Sequence, residues 1–143
     1  MVKTEKSIFI NAPVEKVFAF MTEPKNHPEI WPSLLEVKDV ESLPNGGYSY
    51  NWVYKMAGIR IEGHAEWIEF VPNQRIVDKN ESGIPSTFVY TYQPEDGGTR
   101  VTVNVEYTLP GAVLGKLAEP FIVKVNENEG DTVLANLKAR MEV

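Results

Sequence analysis

The chain has 143 residues and no cysteine, and 14 Lys plus Arg against 20 Asp plus Glu give a formal net charge of −6. That length fits one domain spanning residues 1–143, able to bury a core without a disulfide staple. The missing thiols exclude a disulfide scaffold, a thiolate metal site and a cysteine nucleophile. The acidic balance argues against nucleic acid or an anionic lipid surface as partner.

The opening MVKTEKSIFI carries no apolar stretch long enough for a signal peptide before Asn11 interrupts it. No run approaches the ~18 apolar residues of a membrane span. A cytoplasmic location without stable membrane insertion is therefore expected. Residues 3–10 read as a first strand. Asn11 stands where a helix N-cap belongs, with Pro13 close to the first turn. Val14, Val17, Phe18 and Met21 then recur at helical spacing and predict a short amphipathic helix over 13–22. Pro24, Pro28 and Pro32 limit the segment 25–31 to a turn or two of helix.

From Leu35 the period changes to two. A strand to Leu43 ends at the turn Pro44-Asn45-Gly46-Gly47. Tyr48, Tyr50, Trp52, Tyr54 and Met56 alternate with polar positions, and so do Ile59, Ile61, Gly63, Ala65 and Trp67 after Ala57-Gly58. Further strands are predicted at 74–80, 86–93 and, after Asp96-Gly97-Gly98, through Val101, Val103, Val105 and Tyr107. Short turns between them imply an antiparallel meander. Beyond Pro110-Gly111 helical spacing returns, with a short helix at 112–118 meeting a longer one, about 120–141, at a bend set by Pro120. The fold class is α+β: one curved antiparallel sheet with a single long helix against it.

Several segments taken in order resemble the START/Bet v 1-like helix-grip (SRPBCC) superfamily, in particular its polyketide cyclase/dehydrase branch. They are SIFINAPVEKVFAFM, NHPEIWPSLLEVKDVE, AEWIEFVPNQRIV, GGTRVTVNVEYTLPG, GAVLGKLAEPF and ANLKARME. The resemblance implies a seven-stranded sheet wrapped around a long C-terminal helix, with two short helices between strands 1 and 2. It also implies an internal cavity. Activities across the superfamily run from lipid and sterol carriage to aromatases, cyclases, ring-hydroxylase subunits and chaperone activators. Here the glycine loop of the Bet v 1 allergens is reduced to Asn45-Gly46-Gly47, and no His/Asp cluster suggests an iron site.

Nine of the 15 aromatic residues fall between Tyr48 and Tyr92. On the concave side of the sheet, Tyr50, Trp52, Tyr54, Trp67, Phe88, Tyr90, Tyr92 and Tyr107 would line a pocket for a flat or elongated apolar ligand. Gly63 and Ala65 leave room on that face. The alternative is that the rings fill the core or cover a dimer face. On the last helix Phe121, Val125, Asn128 or Glu129, Thr132 and Asn136 share one face by 3–4 spacing. A buried Glu129, with Tyr54 and Tyr90, is a candidate proton-transfer group. Glu62, His64 and Glu66 occupy the polar phase of their strand and read as a solvated outer face rather than a metal site. His27 reads as a loop residue. No nucleophile motif, phosphate cradle or cofactor fingerprint occurs. The expected function is binding of a small hydrophobic or aromatic, lipid- or polyketide-like ligand by a monomer or homodimer, with no cofactor. The competing reading is an enzyme of the polyketide cyclase, aromatase or dehydratase kind, acting by positioning and proton transfer in the same cavity.

Overall fold

The computed structural model describes all 143 residues. Seven strands form one antiparallel sheet: β1 (Val2–Ile10), β2 (Leu34–Ser42), β3 (Tyr48–Met56), β4 (Ile59–Val71), β5 (Arg75–Asn80), β6 (Ser86–Glu95) and β7 (Gly98–Tyr107). Helices α1 (Val14–Met21) and α2 (His27–Ile30) lie between β1 and β2, joined by a 3₁₀ turn at Pro24–Asn26, while α3 (Gly111–Leu114) and α4 (Glu119–Met141) follow the sheet. None of the helices is long and apolar enough to cross a membrane.

The sheet order is β1-β7-β6-β5-β4-β3-β2. β2 to β7 are a meander of neighbours, whereas β1 pairs with β7, from Val2 opposite Tyr107 to Ile10 opposite Thr99. Consecutive strands β1 and β2 therefore form opposite edges, and the segment carrying α1 and α2 crosses from one to the other. Two of the hairpins are two-residue turns with both central φ angles positive: Ala57 (+51°) with Gly58 (+79°), and Asp96 (+46°) with Gly97 (+79°). That geometry matches the right-handed twist of the flanking strands.

The strand alternation decides which side is buried. Tyr50, Trp52, Ala65, Trp67, Ile76, Tyr90, Tyr92, Val101 and Tyr107 pack inward against Val17, Phe18, Met21 and Ile30 of the short helices and Val133, Leu134, Leu137 and Met141 of α4. Fully burying a side chain such as Leu137 contributes roughly 1.5–3 kcal/mol. A bulge between Trp67 and Glu69 shifts the β4 register, so that Trp67 and Phe70 both turn inward and stack at 6.2 Å.

Two local expectations need correction. Asn11 does not cap α1; Pro13 holds the N-cap position, and the Asn11 N–H donates to Glu142 Oε2 at 2.7 Å. Pro120 makes no bend either. It sits in the first turn of α4, where its missing N–H leaves no bond unmade, and the break falls before it, between α3 and Glu119.

Candidate ligand cavity

Between the sheet and α4 lies a cavity of about 160 Å³. Of its 28 lining residues 18 are hydrophobic, so most of any occupant's surface meets carbon. β3 supplies Tyr50, Trp52, Tyr54 and Met56; β6 supplies Phe88 and Tyr90; β7 supplies Val101, Val103, Val105 and Tyr107. Met21, His27 and Ile30 close one side, and Glu129, Gly130, Val133, Leu134 and Leu137 of α4 close another.

The polar part of the wall is gathered on β5, where Ile76, Asp78 and Asn80 share the inward phase and are all buried. The Trp52 indole N–H donates to Asn80 Oδ1 at 2.8 Å, and the Asn80 amide donates to Asp78 Oδ1 at 3.2 Å. The Tyr50 hydroxyl donates to Asp78 Oδ2 at 3.4 Å and accepts from the Trp67 indole N–H at 3.2 Å. His27 stacks on Trp67 at 6.2 Å and donates from Nε2 to the Met21 carbonyl at 2.8 Å, leaving Nδ1 as an acceptor in the neutral ring. Burial pushes the Asp78 carboxyl up to about 7, against the opposing hydrogen bonds from Tyr50 and Asn80. Burial also lowers the His27 pKa and, with the Asp78 charge second, raises those of Tyr50 and Tyr90.

A second polar group stands nearer the surface. Glu129 accepts from the Tyr54 hydroxyl at 2.5 Å and from the Ser33 hydroxyl at 2.6 Å, tying α4 to β3 and to the start of β2. Asn126 donates to the Tyr107 hydroxyl at 3.1 Å. Burial first, and the Glu129 charge second, raise the Tyr54 pKa. Met56, Asn126 and Glu129 also border an outer groove with Leu35, Ala57, Gly58 and Val125, so Glu129 sits where the cavity approaches solvent.

Of the residues singled out from sequence, Tyr50, Trp52, Tyr54, Phe88, Tyr90, Tyr107 and Glu129 stand on the cavity wall. Trp67 and Tyr92 lie behind it: Trp67 is 1% exposed, and Tyr92 packs edge-on against Phe18 with its buried hydroxyl unpartnered. The α4 positions need correction. Phe121 and Val125 are 58% and 49% exposed, Asn128 and Thr132 also face out, and Asn136 donates to the Ile30 carbonyl at 3.0 Å. The inward stripe runs through Ile122, Asn126, Glu129, Val133 and Leu137, one residue on from the predicted one, a rotation of about 100°. Packing of Val133, Leu134, Leu137 and Met141 fixes that rotation and turns the apolar Phe121 and Val125 away. The room above Gly63 is occupied as well: the Trp52 indole lies over it, so close that a Cβ there would meet Trp52 Cζ2 at 2.2 Å.

Sequence reasoning missed Asp78, Asn80, Asn126 and His27. The signal for the first two was present, because they share the phase of Ile76 in RIVDKN. His27 is corrected from loop residue to a buried position, 4% exposed, at the start of α2. Glu62, His64 and Glu66 lie on the outer face, where His64 Nδ1 bonds Asn51 Oδ1 at 2.8 Å.

A curved seven-stranded sheet gripping a C-terminal helix, with a cavity between, defines a START/Bet v 1-like helix-grip protein. Residues 1–142 match the family model for polyketide cyclase/dehydrase and lipid transport proteins, and the chain belongs to that family. None of the curated proteins matches it. Among solved structures it is similar to TTHA0849 from Thermus thermophilus, with TM-score 0.83, 19% identity and coverage of 98% of this chain and 97% of the other. A START superfamily protein from Mycobacterium smegmatis gives TM-score 0.78 at 14% identity, covering 98% and 97%. The di-domain ARO/CYC StfQ of the steffimycin biosynthetic pathway gives TM-score 0.74 at 18% identity, covering 99% of this chain and 50% of that one.

Proposed function

We propose that the protein binds a small, largely apolar ligand in the cavity between sheet and α4, without turning it over. The observation that carries this reading is the wall itself: carbon-rich, ringed by aromatic side chains, and broken by the Asp78 and Glu129 polar groups. A ligand with a flat or elongated apolar body and polar substituents suits it. The family's lipid-transport description, and the likeness to helix-grip proteins, support the same reading. The test is titration with N-phenylnaphthylamine, an uncharged fluorescent probe, beside native mass spectrometry of protein from its source organism. Saturable fluorescence gain, blocked by filling the cavity with Val133→Trp, is the expected result. No gain, with no small molecule co-purified, overturns it.

A second reading, a cyclase- or dehydratase-type enzyme, is favoured by one observation. Asp78, with a pKa raised to about 7, shares the cavity with Tyr50 and Tyr90, so it can both accept and return a proton near neutrality. Glu129 with Tyr54 is the other candidate pair. Loss of turnover of a polyketide thioester in Asp78→Asn or Tyr90→Phe would support this reading. Recovery of an unmodified ligand from the purified protein supports the first.

A further inference from the structure

We propose that the cavity selects a hydrophobic amine, whose protonated nitrogen is held by the Asp78 carboxylate. This rests on the reading of the cavity as a ligand site and deepens it by naming the ligand's chemistry. The first support is the charge of the wall. Asp78, Glu127 and Glu129 line it, against Lys6 as the one ammonium, and Lys6 is paired with Asp131 at 3.0 Å. His27 spends its Nε2 proton on the Met21 carbonyl and is held towards the neutral form by burial. A carboxylate-bearing ligand would meet like charge with no free cation to answer it.

The second support is the coordination of Asp78. The residue is 6% exposed, and its two oxygens receive only neutral donors, the Asn80 amide at 3.2 Å and the Tyr50 hydroxyl at 3.4 Å. A buried carboxylate without a cation is costly, and a ligand ammonium supplies the missing charge together with up to three N–H donors. Tyr90 is a third, independent feature. It is 5% exposed, stands on the cavity wall within the electrostatic reach of Asp78, and its hydroxyl makes no hydrogen bond within the protein. That oxygen is an acceptor for an N–H group Asp78 leaves over. Tyr50, Trp52 and Phe88 line the same cavity, and an aromatic face within about 6 Å of an ammonium adds cation–π attraction.

The titratable groups that interact with Asp78 are Tyr50 from β3 and Tyr90 from β6, while His27, Lys6, Glu127 and Glu129 stand elsewhere on the wall. The tyrosines stay neutral through the neutral range because burial raises them. Asp78 is therefore the group whose charge changes there, and amine affinity follows it.

Calorimetry with phenethylamine, phenethyl alcohol and hydrocinnamate tests this, since the three share one apolar body and differ in charge. The expected order is amine, alcohol, carboxylate. The amine-to-alcohol affinity ratio should grow about tenfold between about pH 6 and about pH 8 as Asp78 ionises, and the growth should vanish in Asp78→Asn. If amine and alcohol bind alike, or hydrocinnamate binds best, the amine assignment falls and the cavity reading stands. If none of the three binds, the amine assignment falls, and the N-phenylnaphthylamine titration decides whether the cavity reading falls with it. Should Asp78→Asn fail to fold, the wild-type profile decides: a ratio flat across that range overturns the assignment.

Discussion

Trp52 reaches Asn80 across an intervening strand. Its ring starts on β3, passes over Gly63 of β4 and delivers its N–H to Asn80 Oδ1 on β5. The residue that makes the bond possible is the one that contributes no side chain. A methyl at position 63 would also meet the Ser82 carbonyl oxygen at 2.7 Å, so the backbone cannot simply yield. Gly63→Ala is expected to swing the indole into the cavity and to cost about 1–3 kcal/mol, the range of overpacked cores. Denaturant unfolding gives the cost, and a changed near-ultraviolet circular dichroism band reports the indole. Unchanged spectra and stability would show that Trp52 is not held there.

Asp78 sets a pH dependence whose sign follows from its raised pKa. The folded state holds the proton more tightly than the unfolded chain, so stability is highest in acid and falls as pH rises from about 4 to about 7. A rise from 3.8 to about 7 corresponds to roughly 4 kcal/mol at most. Asp78→Asn should flatten that fall and raise the melting temperature at about pH 8. His27 acts oppositely, since its lowered pKa removes stability as pH falls through about 6.5. His27→Gln separates the two in the same thermal scans.

Tyr92 points a hydroxyl into a place where nothing answers it. The ring is well used, edge-on to Phe18 with centroids 5.1 Å apart. Tyr92→Phe keeps the ring and removes the unpaired oxygen, so it should raise stability by up to about 1–2 kcal/mol. A loss instead would mean that the hydroxyl is satisfied in solution.

The two halves of α4 differ in anchorage. From Val133 to Met141 four side chains are buried, whereas between Glu119 and Gly130 only Ile122 is. The early half depends on polar ties, Glu129 to Tyr54 and Ser33, and Asn126 to Tyr107. Amide hydrogen exchange should be faster over 119–130 than over 133–141, and Glu129→Ala should widen the gap. Equal protection along the helix would contradict this.

The sheet was legible because its alternation persists strand after strand. The spacing of Tyr50, Trp52 and Tyr54 alone assigns them to one face, and that of Glu62, His64 and Glu66 turns them outward. The facing of α4 was not legible. Its middle, Asn126-Glu127-Asn128-Glu129-Gly130-Asp131, carries little apolar signal, and its two most conspicuous early hydrophobes, Phe121 and Val125, face out. Only the docking of Leu137 and its neighbours chooses the rotation. Asp78 and Asn80 escaped for a related reason: polar residues at inward positions look like ordinary strand alternation until the walls around them are known. His27 was hidden by its prolines, which suggest a surface loop where the chain in fact plugs the sheet.

The pairing of β1 with β7 has a consequence for how the chain comes together. Val2 is made long before its partner Tyr107. β2 to β7 pair with immediate neighbours and can assemble as they emerge. β1 must wait, unpaired, until β7 exists. The strand made before the other six is thus expected to be the last in place, the step with the largest loop to close.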